Sequence, residues 1–398
     1  MIFYDKFIYI IEVVGGRNMN KYRQYILSLG HLCSDINQSI LSAMIPFLIA
    51  SYHYNYTTAA LLVTVSNVCG SLVQPFIGMY IDRKNNPMMM ALGVIMAAGG
   101  MAFTGWTSNF YLLCIEVILS GIGVALFHPQ AAKLVDVSSS HNKKGKGMSI
   151  FSFGGKIGFT LGPVFTAFLI QTWGMKGTIF FLIPAGVFTI VCAKFNHTFH
   201  CHEEIKEGPV ENINQKDNWG GFIRLCVVVF TRSILTNGLS TFLSLYFIQN
   251  FLLTKSKASL LLSVYYAVGS ISTLFGGSLA DHFSHRRMIR ISFLILLPAM
   301  IIFSSTHHIA LALCMLVLMS CGESFSYSPM VVMGQKYLPH HTGFASGVTL
   351  GLAVSVGAVL CPLLGYICDS YSLTATFYIM SGIDGIALLG SMLLPEIK

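Results

Sequence analysis

Four residues near the start of the chain, His31, Asp35, Gln38 and Ser42, share one helical face inside a stretch that is otherwise apolar. Asp35 falls about eleven residues into that stretch, roughly 16 Å at ~1.5 Å per residue, near the middle of a bilayer if the stretch spans one. An ionisable side chain at such depth costs at least ~2.5–3.5 kcal/mol, so the stripe should face a wet cavity and not lipid. A carboxylate there could bind and release a proton, with His31 on the same face; alternatively it could fix helix packing by static hydrogen bonds. Arg232 lies about as deep in a later apolar stretch, with Thr236 and Ser240 continuing its face. Because arginine does not give up its charge, Arg232 either pairs with an acid, Glu323 and Asp35 being the natural partners, or holds an anionic substrate. Lys156 is a second intramembrane cation. With Arg232 it could clamp a phosphonate or other organic anion, or it could instead bridge to Glu116 or Glu323.

Other candidates have plainer readings. His128 precedes Pro129, whose missing N–H interrupts the helix ladder, so its imidazole suits a hinge bond or a proton relay. Glu116 comes early in its stretch and could simply reach the interface, and Asp384 suits a structural bond. His197, His200, Cys201 and His202 cluster closely, but structural metal sites present two separated pairs of ligands, so no metal is expected. No nucleotide-binding loop, nucleophile elbow or zinc-protease motif occurs, so the sequence carries no catalytic residues and no cofactor.

The elements that must position these residues are long and apolar. Of 398 residues, 54% are hydrophobic and only 10% charged, against roughly 25% charged in soluble domains, and the mean hydropathy is +0.68. Spans of about 20 apolar residues run over 24–51, 58–81, 88–107, 109–133, 147–172 and 177–195, then over 221–250, 258–280, 288–306, 309–334, 343–368 and 373–394. The expected fold is an all-α membrane protein of twelve transmembrane helices in two pseudo-symmetric six-helix bundles. Its parts are an N-terminal segment 1–23, a first bundle 24–195, a linker 196–218 holding acidic Glu203, Glu204, Glu207 and Glu211, and a second bundle 219–398. Residues 1–18 hold only the short run Phe7–Val14, broken by Glu12, so no signal peptide is read there, and Met19 could be the true start. Nineteen Lys and Arg fall in the loops on one side, against Lys176, Lys255 and Lys257 on the other. This places both termini and the linker in the cytoplasm. The net charge of +8 therefore belongs to membrane-flanking loops and not to nucleic-acid binding. The ten cysteines form no CxxC pair and most lie inside apolar stretches, where they act as small hydrophobes.

The two halves echo one another. Gly78, Asp82 and Arg83 form a charged turn after span two, and Gly277, Asp281 and Arg286 form its counterpart 199 residues later, after span eight. Such a turn could anchor topology; its recurrence points to a gate. Span four carries His128-Pro129 and span ten Ser328-Pro329; span five carries Gly158 and Pro163, and span eleven Gly357 and Pro362. Glycines at 154, 155, 158 and 162, and again at 347, 351 and 357, offer small-residue faces for close helix packing.

Two six-helix halves with a Gly-x-x-x-Asp-Arg-Lys turn resemble the major facilitator superfamily. Within it the chain is similar to the fosmidomycin-resistance efflux branch, through His31-Leu-Cys-Ser-Asp35, Phe127-His128-Pro129, Ser149-Ile-Phe-Ser-Phe-Gly-Gly155 with Leu161-Gly-Pro163, and Gln335-Lys-Tyr-Leu-Pro339 on to Gly343-Phe-Ala-Ser-Gly347 and Pro362-Leu-Leu-Gly365. Gln130 stands where the branch often has an acid, and Lys156 where a neutral amide is common. The resemblance implies a monomeric, proton-driven antiporter of a bacterial inner membrane that exports a small organic compound, with an anion of the fosmidomycin kind among the candidates, by rocking its halves about a central site. Spans one, four, seven and ten would line the cavity. Asp35, His31 and Glu323 would couple protons, and Arg232, Lys156, Gln38, His128 and Gln130 would meet substrate. An uptake symporter or facilitator for an organic acid or sugar, and a non-transporting membrane receptor, remain alternatives.

Overall fold

The computed structural model describes the backbone of residues 2–83, 86–138, 144–199, 216–341, 344–345 and 347–396. Side chains are described within those ranges apart from 2–21, 75, 79, 81–83, 136–138, 144–149, 197–198, 274, 277–278, 281–282, 347 and 350. Twelve long helices account for nearly all of it, and there is no strand among the described residues. They are α1 (Ile2–Tyr52), α2 (Tyr56–Arg83), α3 (Met88–Phe103), α4 (Phe110–Ser138), α5 (Lys144–Trp173) and α6 (Leu182–Lys194). After them come α7 (Trp219–Phe251), α8 (Lys255–Phe283), α9 (His285–Ser305), a two-piece α10 (Ile309–Phe325 and Tyr327–Tyr337), α11 (Ala353–Ser370) and α12 (Leu373–Met392).

Helix starts follow local capping chemistry. Asn109 accepts from Tyr111 N (2.9 Å), Asn218 from Gly221 N (2.8 Å) and Ser372 from Ala375 N (3.0 Å), each meeting a donor that the first helical turn leaves unpaired. Three departures from the expected spans have local causes. The first helix runs unbroken from Ile2, its first proline being Pro46, so residues 2–23 continue it. A 3-10 turn, Met175–Phe181, precedes α6 and is entered through Gly174 at φ +65°, a conformation glycine adopts without steric penalty. The tenth span breaks at Ser326, three residues before Pro329, which has no N–H to return to the Phe325 carbonyl.

The anticipated glycine seam on α5 lies against α1. A Cβ at Gly158 would meet the Leu32 carbonyl at 2.5 Å, and Gly154 and Gly162 lie against Ser28 and Ser39 one turn before and after. In the second half Gly357 lies against Ser233 of α7, and Ser233 donates to the Ala353 carbonyl at 2.6 Å, much as Ser28 donates to the Ile150 carbonyl at 2.9 Å. Gly351 has open space around it and takes no part. Contacts between α2 and α11 come from Thr64 donating to the Ala358 carbonyl (2.6 Å) and from Ser71 with Ser355 (2.5 Å). Asn67 of α2 also donates to Asn237 of α7 (3.0 Å). On the other flank, α5 meets α8 where Phe159 packs edge-on to Tyr266.

The seam makes a direct prediction. Gly158→Ala should lower thermal stability by about 1–3 kcal/mol through backbone overpacking, read by unfolding in detergent. Gly186→Ala, where a Cβ meets nothing within 4 Å, should leave the midpoint unchanged or raise it. Equal midpoints for the two variants would remove the close α1–α5 approach from the stability argument.

Candidate substrate and proton site

The polar stripe on α1 meets α4 and α5 in one buried cluster. Asp35, only 6% exposed, lies 3.1 Å from His31 Nε2 through one carboxylate oxygen and 3.1 Å from His128 Nε2 through the other. Gln38 Nε2 approaches it more loosely, at 3.5 Å. Each imidazole is anchored from behind, His31 Nδ1 to the Phe151 carbonyl at 2.8 Å and His128 Nδ1 to the Val124 carbonyl at 2.9 Å. A carbonyl only accepts, so both Nδ1 atoms must carry hydrogen. Each Nε2···O contact then also needs a proton, on nitrogen or on oxygen, or two lone pairs would face each other. Relative to two neutral rings and one carboxylate, the arrangement closes with two protons and a net charge of +1. The three ligand atoms lie within 4.8 Å of one another.

The cluster is held rigidly. The His31 ring stacks on Phe151 with centroids 4.0 Å apart, and the His128 ring stands edge-on to it at 5.1 Å. Gly155 makes room: a Cβ there would come within 2.5 Å of Asp35 Oδ2 and 2.6 Å of His31 Nε2. Residues 154–158 thus serve both the helix seam and the polar site.

A second cluster lies in the other half. Arg232 of α7 forms a short ion pair with Glu323 of α10, and its Nε donates to the Glu323 carbonyl at 3.0 Å. Thr236 donates to the same carboxylate oxygen of Glu323 at 2.6 Å, and Ser324 to the other at 3.2 Å. Of the two acids open to Arg232 from the sequence, the partner is Glu323. The Tyr266 hydroxyl lies near Ser42 of α1 and Ser240 of α7.

Lys156 stands between the clusters. Among the described residues it meets neither Glu116 nor Glu323 within ion-pair distance. Its Nζ donates to Thr273 Oγ1 of α8 at 3.3 Å and sits 5.6 Å from the centre of the Tyr327 ring. The Arg232 guanidinium approaches the same ring at 5.2 Å. One phenol thus carries two cations, one from α5 and one from α7, which a ring face attracts. Sequence reasoning missed Tyr327, although the 200-residue offset sets it opposite Phe127 just as Ser328-Pro329 answers His128-Pro129.

The remaining candidates lie elsewhere. Gln130 is wholly buried on α4. Gly78 packs against Pro129, while the side chains of Asp82, Arg83 and Asp281, and Gly277 with them, fall outside the described residues. Arg286 stays within its own half, donating to the Met392 carbonyl at 3.3 Å and pairing with Glu396 at 3.4 Å. Among the described residues neither Glu116 nor Asp384 pairs with either cluster, and the Asp384 oxygens are buried with no hydrogen-bond partner there. The His197, His200, Cys201 and His202 group lies outside the described side chains.

Comparison with known proteins agrees with this architecture. The chain is 27% identical to the uncharacterised MFS-type transporter YfnC of Bacillus subtilis over 383 residues, covering 93% of this chain and 92% of that one. It is 23% identical to the fosmidomycin resistance protein of Escherichia coli K12, with the same coverage of both chains. Its fold matches a bacterial homologue of the human lysosomal transporter Spinster, solved inward-facing and occupied, with a TM-score of 0.80 at 17% identity over 94% of this chain and 96% of that one. The sequence matches the family described as Major Facilitator Superfamily over residues 27–349 and 225–398; with twelve membrane helices built round two buried polar clusters, the chain belongs to that family of transporters.

Proposed function

We propose that this transporter is a proton-coupled antiporter that exports a small organic anion across a bacterial inner membrane by alternating access. The observation that carries the reading is Asp35 held between two imidazoles whose outer nitrogens are fixed by backbone carbonyls. Such a group can pass between a filled, cationic state and emptier ones with little rearrangement of its rings. The resistance named for the Escherichia coli relative supports export and a phosphonate-like cargo.

Coupling requires that the two access states bind proton and cargo differently. Lys156 provides the link. It extends from the helix that carries Gly155, which touches Asp35 and His31, yet its partners Thr273 and Tyr327 belong to the other half. An anion drawn to Lys156 and Arg232 would compete with those partners and so act on the contact between the halves. His128 and Gln38 would complete the cavity wall. The bodies that rock are residues 24–195 and 219–398, joined by the linker 196–218, with segment 1–23 and both termini in the cytoplasm. The charged turns at Gly78, Asp82 and Arg83 and at Gly277, Asp281 and Arg286 gate the cytoplasmic face, and the protein works as a monomer.

Asp35→Asn should abolish cargo-driven proton release from inside-out vesicles, to less than about one-tenth of the wild-type signal, while membrane insertion persists. The carboxamide can still donate to one Nε2 and accept from the other, but it does not titrate. Undiminished proton release from this variant would end the role assigned to Asp35.

Lys156→Met should raise the KM for an anionic cargo such as fosmidomycin about tenfold, equivalent to about 1.4 kcal/mol, and leave a neutral or cationic cargo unaffected. An equal rise for every cargo would make Lys156 a packing residue.

Arg232→Met should unfold the protein or lower its stability by about 3–5 kcal/mol, because Glu323 is left buried and unpaired. Adding Glu323→Leu should restore the thermal midpoint. Failure of the double variant to recover would show that the pair does more than neutralise itself.

A further inference from the structure

We infer that Asp369 is the latch that holds the two halves together at the end opposite the charged turns, and that its release is a required step of the transport cycle. The inference rests on the alternating-access reading above. Its basis is the accounting of donors at the start of α2. The first four N–H groups of a helix have no partner within it. Here Thr58 N donates to the Asn55 side chain at 2.8 Å and Ala59 N to the Asn55 carbonyl at 3.1 Å. The two that remain cross to the other half: Tyr56 N donates to Asp369 Oδ1 at 2.8 Å and Thr57 N to Asp369 Oδ2 at 2.9 Å. The Thr57 hydroxyl adds a third donor to Oδ2 at 2.5 Å.

Asp369 itself lies in the last turn of α11, which ends at Ser370. A negative charge there opposes the dipole of its own helix, whereas at the N-terminus of α2 the same charge is favoured. Asp369 is exposed, so its position is most favourable while α11 abuts α2. When the ends part, the carboxylate exchanges three protein donors for water and keeps the unfavourable end of α11.

The backbones are shaped for the contact. Gly365, one turn before Asp369, lies against Tyr56 and Thr57 so closely that a Cβ would sit 2.9 Å from Thr57 Cα and from the Tyr56 carbonyl. The Tyr56 hydroxyl reaches on to Gln249 of α7 at 3.3 Å. The start of α8, which internal symmetry sets opposite the start of α2, is different. Its local cap is the same, Thr254 accepting from Lys257 N at 3.4 Å as Asn55 accepts from Thr58 N, but among the described residues no carboxylate crosses to its first N–H groups, so the bridge is found on one flank.

The test measures distance across the latch. Spin labels at Tyr111→Cys and Tyr371→Cys, which replace side chains 77% and 80% exposed, would be placed in a background without the ten native cysteines. Distance distributions would be recorded in lipid nanodiscs for the otherwise unaltered protein, Asp369→Ala, Thr57→Val and Gly365→Leu. Asp369→Ala and Gly365→Leu should each enlarge a longer-distance population by at least about fivefold, and Thr57→Val should move it the same way by less. Distributions unchanged in Asp369→Ala overturn the latch, whether or not Gly365→Leu separates the helices by bulk. Because distance is read without cargo, a shift in Asp369→Ala beside a silent transport assay would retain the latch and discard the antiport reading.

Discussion

The contact between Asp35 and its two imidazoles governs much of what surrounds it. A carboxylate in a membrane interior persists only if its charge is answered and its lone pairs are met. Here one histidine comes from the same helix as Asp35 and the other from α4. Both ring orientations depend on backbone carbonyls, one on α5 and one on α4. Three helices must therefore keep their relative depth and rotation for the cluster to exist. Gly155 shows how tight that constraint is, since even a methyl group would displace Asp35 or His31.

The other half answers the same constraint with a permanent cation. Arg232 uses its guanidinium to close on both the side chain and the carbonyl of Glu323, and Thr236 and Ser324 take up the remaining carboxylate lone pairs. One buried cluster thus sets a carboxylate between two imidazoles, and the other sets a carboxylate against a guanidinium. Lys156 and Tyr327 lie between them, the ammonium 5.6 Å from the centre of the ring. The two halves thus answer a buried carboxylate with different chemistry.

Association of the halves also depends on polar groups. Hydrophobic contact distinguishes poorly between helix–helix and helix–lipid packing, so specificity falls to a few directed bonds. Thr64, Asn67 and Ser71 of α2 provide them within the bilayer, and Asp369 provides them at its edge. Bonds of this kind can be broken and remade without exposing a large apolar surface, which an interface that must open needs.

Much of this was legible in the residues. Twelve spans, the internal repeat and the stripe from His31 to Ser42 follow from hydropathy and from helical spacing, which act locally along the chain. The charged residues inside spans were recognisable as candidates because the bilayer makes each one costly wherever its partner lies. Partner choice was not legible. Arg232 had two available acids, and only the packing of α7 on α10 selects Glu323. Lys156 had two acids on offer and took a hydroxyl and a ring. His128 beside Pro129 suited a hinge bond or a proton relay, and the sequence did not show that it bonds its own helix while also touching Asp35. Asp369 had no signal, since a carboxylate at a helix end reads as solvated until another helix start is brought to it. Composition and periodicity determined which helices form and which faces are polar, because those depend on neighbours in sequence. Depth, rotation and crossing of one helix against another determined which polar groups meet, because those distances are set between side chains about ninety or more residues apart.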